Sequence, residues 1–236
     1  MDQLLISAAS GMKARMESLD LLANNIANTG TSGFKADREF YSLVEGQLPV
    51  IESNWTDFSQ GALVPTNNQL DLALSGPGFF ALNTSGGVVY TRNGQFRVGK
   101  SNQIETSDGY TLRNALDGGK PITVDARLPV VIGKDGSLQQ GGVPLGKLEI
   151  VGQVPAASGG LAKQGNSYFR MSRPGAPVPA AATEVLQGTL EQSNVPTADA
   201  AVRLVSIMRQ FEMLQRAVSI GADMDKQAVT DIARVS

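Results

Sequence analysis

The stretch Leu5–Ile26, LISAASGMKARMESLDLLANNI, decides how this chain is built. Its Leu5, Ala9, Met12, Met16, Leu19, Ala23 and Ile26 alternate spacings of four and three residues. The same alternation returns near the other end in Ala200, Leu204, Ile207, Phe211, Leu214, Val218 and Gly221. Asp225 interrupts it, and Ala228, Ile232 and Val235 resume it. A narrow stripe of period 3.5 is the seam of a coiled coil, not the broader apolar face of a helix lying on a globular core. Two such seams at the two ends describe a subunit whose ends exist to be packed against something, so assembly is the first functional hypothesis.

Composition narrows the alternatives. The chain has 236 residues, room for one large or two small domains. A net charge of −2 leaves no basic field for nucleic acid or an acidic membrane surface. With neither histidine nor cysteine, structural zinc, disulfides and Cys or His nucleophiles are excluded. Catalysis would have to rest on carboxylates, Lys, Tyr or Ser. No catalytic, cofactor-binding or metal-binding residue is expected, no cofactor, and no small-molecule substrate. Asp2 precedes the short apolar stretch Leu4–Ile6, and Ser7, Ser10 and Gly11 interrupt it, so no secretory signal is expected. No run approaches a membrane span, so no membrane insertion is expected.

The first helix is expected to run to about Asn28, ended by Asn28-Thr29-Gly30-Thr31-Ser32-Gly33. Residues 1–35 thus form an N-terminal helical segment and 36–69 an extended connector with short pieces of structure. From Leu70 the apolar period becomes two, punctuated by Asn93-Gly94, Asp108-Gly109, Asp117-Gly118-Gly119 and Asp135-Gly136. Residues 70–185 therefore read as a compact antiparallel β domain in a local meander, with surface loops at Pro155–Gly165 and Pro174–Ala182. Residues 186–236 return to a closing helix that starts within Asn194–Thr197, with Asn194 or Thr197 as cap. The fold class is α+β: long N- and C-terminal helices paired as a coiled-coil-like stem, and a mainly antiparallel β middle.

Several motifs look chemical. Gly94–Ser101 fits the phosphate-loop expression G-x-x-x-x-G-K-[ST] letter for letter. That loop needs a helix starting at its Lys, yet Asn102–Gly109 has no helical period, and Phe96 and Val98 alternate like a half-buried strand. A hairpin strand and a polar turn are expected instead. Asp37 with Glu39 reads as a solvated pair, and Asp223 with Asp225 points in different directions on a helix.

The motifs then fall into a recognisable order. Asn24-Asn25-Ile26-Ala27-Asn28 followed by Thr31-Ser32-Gly33-Phe34-Lys35 resembles the N-terminal signature of the flagellar rod and hook axial proteins of bacteria. Leu70–Leu74 with Gly76–Phe80, Tyr90–Phe96 and Gly188–Val195 resemble later segments of the same family. The length and Arg209–Met213 are most similar to its proximal rod members, with distal rod or hook-type members next. The resemblance implies export by the flagellar type III apparatus and assembly with copies of itself and other rod subunits. The product would be a hollow helical rod that crosses the periplasm and transmits torque to the hook. Its terminal helices would form the inner tube, with Leu5, Met12, Met16, Leu19 and Ile26 set against Leu204, Ile207, Phe211, Leu214 and Val218. Asn24, Asn25 and Asn28 would satisfy polar groups at the helix end, and Gly33 would permit the chain to turn into Phe34. A secreted carboxylate hydrolase with helical oligomerisation tails is the rival class, and a trimeric fibre protein a third. The first lacks a carboxylate pair, and the second would not explain the ordered motifs.

Overall fold

The computed structural model describes residues 3–42, 50–152, 160–165, 167–172, 178, 180 and 182–235, with side chains excepted at 3–8, 40–42, 50–53, 225 and 228–235. The side chains of Leu5, Asp225, Ala228, Ile232 and Val235, and most of the two expected loops, lie outside this set. The chain divides into two compact units, one of Met1–Ala27, Ala36–Asp57 and Val195–Ser236, the other of Asn28–Lys35 and Phe58–Asn194.

The first unit holds two helices, α1 (Gln3–Ala27) and α2 (Thr197–Val235), and a hairpin of β1 (Asp37–Ser42) and β2 (Val50–Thr56). Helix α2 begins where the Ala200 amide donates to the Pro196 carbonyl at 2.9 Å, with Asp199 in its first turn at the positive end of the dipole. Thr197 is therefore already helical, and Asn194 is spent elsewhere, donating its side-chain amide to Ser59. A methyl group built at Gly11 would meet Leu214 at 3.5 Å. Leu21, Leu22 and Asn25 share a small cleft with Arg203 and Ile207. Rising numbers on α1 thus meet falling numbers on α2: the helices pack antiparallel. The hairpin occupies part of the span read from sequence as connector.

The second unit is built on β-structure. Its largest sheet contains β5 (Phe79–Thr84), β6 (Gly87–Thr91), β7 (Arg97–Val98), β8 (Ile104–Glu105), β9 (Thr111–Leu112), β13 (Ile150–Val151), β14 (Leu161–Lys163) and β15 (Tyr168–Met171). The order is β14-β15-β6-β5-β9-β8-β7, with β13 also on β5. A smaller sheet joins β10 (Val130–Ile132), β11 (Ser137–Gln140) and β12 (Val143–Lys147). Two antiparallel pairs bring distant segments together: β4 (Leu72–Ser75) with β16 (Glu184–Gln187), and β3 (Leu63–Pro65) with β17 (Thr189–Glu191).

Strand β5 shows why period two matters. Phe80 and Leu82 enter the main core with Leu72, Ile104, Leu112 and Leu138, while Phe79 and Ala81 enter a second core on the other face. There Phe58, Phe79 and Phe169 meet edge to face with centroids 5.3–5.5 Å apart. Chain neighbours pair locally in β5–β6, β7–β8–β9, β10–β11–β12 and β14–β15, but the expected meander is not continuous: β9 returns to β5. Pairs β15–β6, β16–β4 and β17–β3 close over long separations. The phosphate-loop look-alike contains β7, which pairs with β8 through a turn where Asn102 takes φ 56°. No helix starts at Lys100.

Candidate assembly interface

Helix α2 turns its heptad stripe inward. Ala200 is buried, and Leu204, Ile207, Phe211, Leu214, Val218 and Gly221 are half-buried amid exposed neighbours. Helix α1 does otherwise. Its sheltered face is Gly11, Ala14, Ser18, Leu22 and Asn25, covered by α2 and the hairpin. Of the stripe quoted from sequence, Ala9, Met16 and Ala23 are exposed and Met12, Leu19 and Ile26 half-buried, with Met16 at 53%. Within one chain, α2 therefore meets the small-residue face of α1 and not that stripe. Gly11, Ala14 and Ser18 are small enough for close helix approach, which a count of large apolar residues overlooks.

At the end of α1, Asn25 acts as a two-way clamp on the hairpin. Its side-chain amide donates to the Asp37 carbonyl at 2.8 Å, and its side-chain oxygen accepts the Asp37 amide at 3.0 Å. Asp37 is no solvated carboxylate: its Oδ1 accepts the Thr56 hydroxyl at 2.7 Å. Arg38, ion-paired with Asp57 at 2.8 Å, lies over the Trp55 ring. Asn24 is exposed on the same helix. Asn25→Asp would lose the donor and set a carboxylate against a carbonyl. We expect it to cost about 1–3 kcal/mol, measured as a lower midpoint for loss of helix by circular dichroism.

The second unit contains the rest of the quoted N-terminal signature. The Thr31 amide donates to the Asn28 carbonyl at 3.1 Å, and Gly33, at φ 67°, donates its amide to the Glu191 carbonyl at 2.7 Å. Phe34 is fully buried under the Lys163 ammonium, 4.0 Å from the ring centroid. Beside it lies a cluster that reading by residue type missed. Lys35, Glu191 and Arg92 are 0%, 0% and 3% exposed. Glu191 Oε1 accepts from Lys35 Nζ at 2.6 Å and from the Gly61 amide at 2.9 Å, and Oε2 accepts from Arg92 Nη1 at 3.0 Å. Lys35 also donates to the Ser59 carbonyl at 2.5 Å, and Arg92 to the Leu74 and Gly76 carbonyls at 3.3 and 2.6 Å. Burial pushes the Arg92 guanidinium below its usual value, and Glu191 opposes that shift. The available signal was positional: each of the three stands in a different quoted motif.

Comparison with known proteins covers the same ground. Residues 5–35 match the family described as "Flagella basal body rod protein", and 73–140 "Flagellar hook protein FlgE/F/G D1 domain". Residues 186–231 match "Flagellar basal body rod FlgEFG protein C-terminal". The flagellar basal-body rod protein FlgF of Caulobacter vibrioides is 32% identical over 100% of both chains. The chain belongs to the flagellar basal-body rod protein family. FlgF of Rhizobium meliloti is 30% identical over 88% of both chains, and FlgG of Bacillus subtilis 31% identical over 95% of this chain and 97% of its own. Within the rod family the chain is most like the FlgF members. It is a structural protein of the basal-body rod and not an enzyme. The buried triad draws one residue from each of three segments of this rod protein that carried the resemblance.

Proposed function

We propose that this chain is a proximal rod subunit that packs through α1 and α2 into a hollow helical assembly. Its partners are copies of itself and other rod subunits, and the flagellar export apparatus delivers it. The rod crosses the periplasm and carries torque to the hook, with the helices forming a coiled-coil-like stem.

The observation that carries this reading is where the apolar surface lies. Among the described residues, seven of the fourteen exposed large hydrophobics stand on the two helices: Met16, Val202, Val205, Met208, Met213, Ile220 and Met224. Exposed apolar surface so concentrated marks an interaction site. Helices packed on several sides also resist sliding, which torque requires. Of the residues assigned to assembly from sequence, Leu5, Met12, Met16, Leu19, Asn24, Ile26, Leu204, Ile207, Phe211, Leu214 and Val218 lie on these helices. Asn25, Asn28, Gly33 and Phe34 are buried within their own unit and serve assembly by shaping the chain.

Electron microscopy of basal bodies from cells lacking this gene tests the reading. Bodies that stop at the inner-membrane ring support the proximal station. Bodies missing only the outer rod favour the distal station, which the FlgG relatives keep as the second reading. Complete rods and hooks overturn both.

A further inference from the structure

We infer that the Lys35–Glu191–Arg92 cluster is a mechanical clamp, the point at which the β unit takes up tension arriving along the chain from the helices. The inference rests on the assembly reading above for the source of that tension. The chain passes between the two units at 27/28, 35/36, 57/58 and 194/195. Each of these crossings leads within a few residues to one carboxylate. Lys35 is the last residue of its segment and bonds Glu191 directly. Asn28 is held by its turn to Thr31, and Gly33 follows with its amide on the Glu191 carbonyl. After Phe58 come Ser59, whose carbonyl accepts from Lys35, and Gly61, whose amide donates to Glu191 Oε1. Glu191 itself stands just before the last crossing, after Asn194.

The exits are also tied to one another. The Asn194 amide donates to the Phe34 carbonyl at 3.3 Å, and its side chain donates to the Ser59 carbonyl and hydroxyl at 3.1 Å. Gly33 thus bonds Glu191 and Phe34 bonds Asn194, so the numbers rise together and the two segments run in the same direction. Tension that enters at Asn28 and leaves at Asn194 loads this pair in shear. Its bonds must then yield together, whereas a pair pulled apart from one end yields bond by bond. Arg92 takes the anchorage deeper, from Glu191 to the carbonyls of Leu74 and Gly76. Leu74 lies on β4 and in the main core. A buried ionic cluster that served stability alone could stand anywhere in the unit. This one stands where the crossings meet.

Pulling single full-length chains in optical tweezers tests the clamp, because forced opening reports an unfolding rate. With handles at the two termini, α1 and α2 come away first, and tension then enters the β unit at Asn28 and leaves at Asn194. The chain contains no cysteine, so Ser107→Cys and Gln139→Cys, at exposed positions of the β unit, supply a second pair of handles. Tension between those two does not enter through the exits. Glu191→Gln is expected to speed opening of the β unit roughly tenfold or more from the termini, and less than about threefold between positions 107 and 139. Equal acceleration in the two directions, or none from the termini, overturns the clamp.

Should Glu191→Gln fail to fold, Asn194→Ala is the milder variant, since it removes only a side chain that ties two exits. It should speed opening from the termini about threefold and leave the other direction unchanged. The same two outcomes overturn the inference. The rod assignment fails separately, on complete rods in cells lacking the gene, because the pulling experiments need only the purified chain.

Discussion

Glu191→Ala is expected to destabilise the β unit by about 3–5 kcal/mol, the range for removing one partner of a buried ion pair. At about 2–4 °C per kcal/mol for a chain of this size, the melting midpoint should fall by roughly 10 °C. The loss is large because the deletion takes from Lys35 and Arg92, both buried, the carboxylate that each is bonded to. The usual remedy, replacing the whole cluster with apolar side chains, is often neutral or better. Here it should not be. The triad also satisfies the Gly61 amide and the Ser59, Leu74 and Gly76 carbonyls, so an apolar replacement would strand those backbone groups. The check is thermal unfolding followed by near-ultraviolet circular dichroism. If Lys35→Met/Arg92→Leu/Glu191→Leu recovers the wild-type midpoint, the backbone-satisfaction argument is wrong.

Gly33→Ala is the second large effect. Two causes add at this position. At φ 67° a side chain is disfavoured by about 1–2 kcal/mol. The added methyl would also sit 2.3 Å from the Arg92 carbonyl carbon and the Asn93 amide nitrogen. Relief would require moving backbone that is fixed on the other side by the Gly33 amide bond to the Glu191 carbonyl. A total above about 3 kcal/mol is expected, among the larger single-residue effects. Gly118→Ala separates the two causes: it shares the conformation, φ 60°, and nothing lies within 4 Å of its added methyl. It should cost only about 1–2 kcal/mol. Equal losses for the two variants in denaturant titration would mean that the close approach to Arg92 contributes nothing.

What the sequence made legible was whatever repeats locally. The α2 stripe could be read because a heptad needs only its own residues, and the two faces of β5 because alternation is visible in six residues, Phe79–Thr84. The side of α1 that meets α2 was not legible. Gly11, Ala14 and Ser18 qualify by being small, and hydrophobicity ranks them low. The pairings β16–β4 and β17–β3 were hidden because a strand's own pattern does not name its partner. The triad was hidden because Lys, Arg and Glu default to the surface in any reading by residue type. Asp37 was misjudged for the same reason, since nothing in its neighbourhood announces the Thr56 hydroxyl that it holds.

The clasp between Lys35 and Glu191 spans 156 positions of the chain. During synthesis the lysine leaves the ribosome long before its carboxylate exists, and closing so wide a loop is slow even afterwards. Until then the polypeptide has an incomplete β unit with an unclosed lock. The ion cluster acts as a timer: it seals the fold only when the last strand, β17, has arrived.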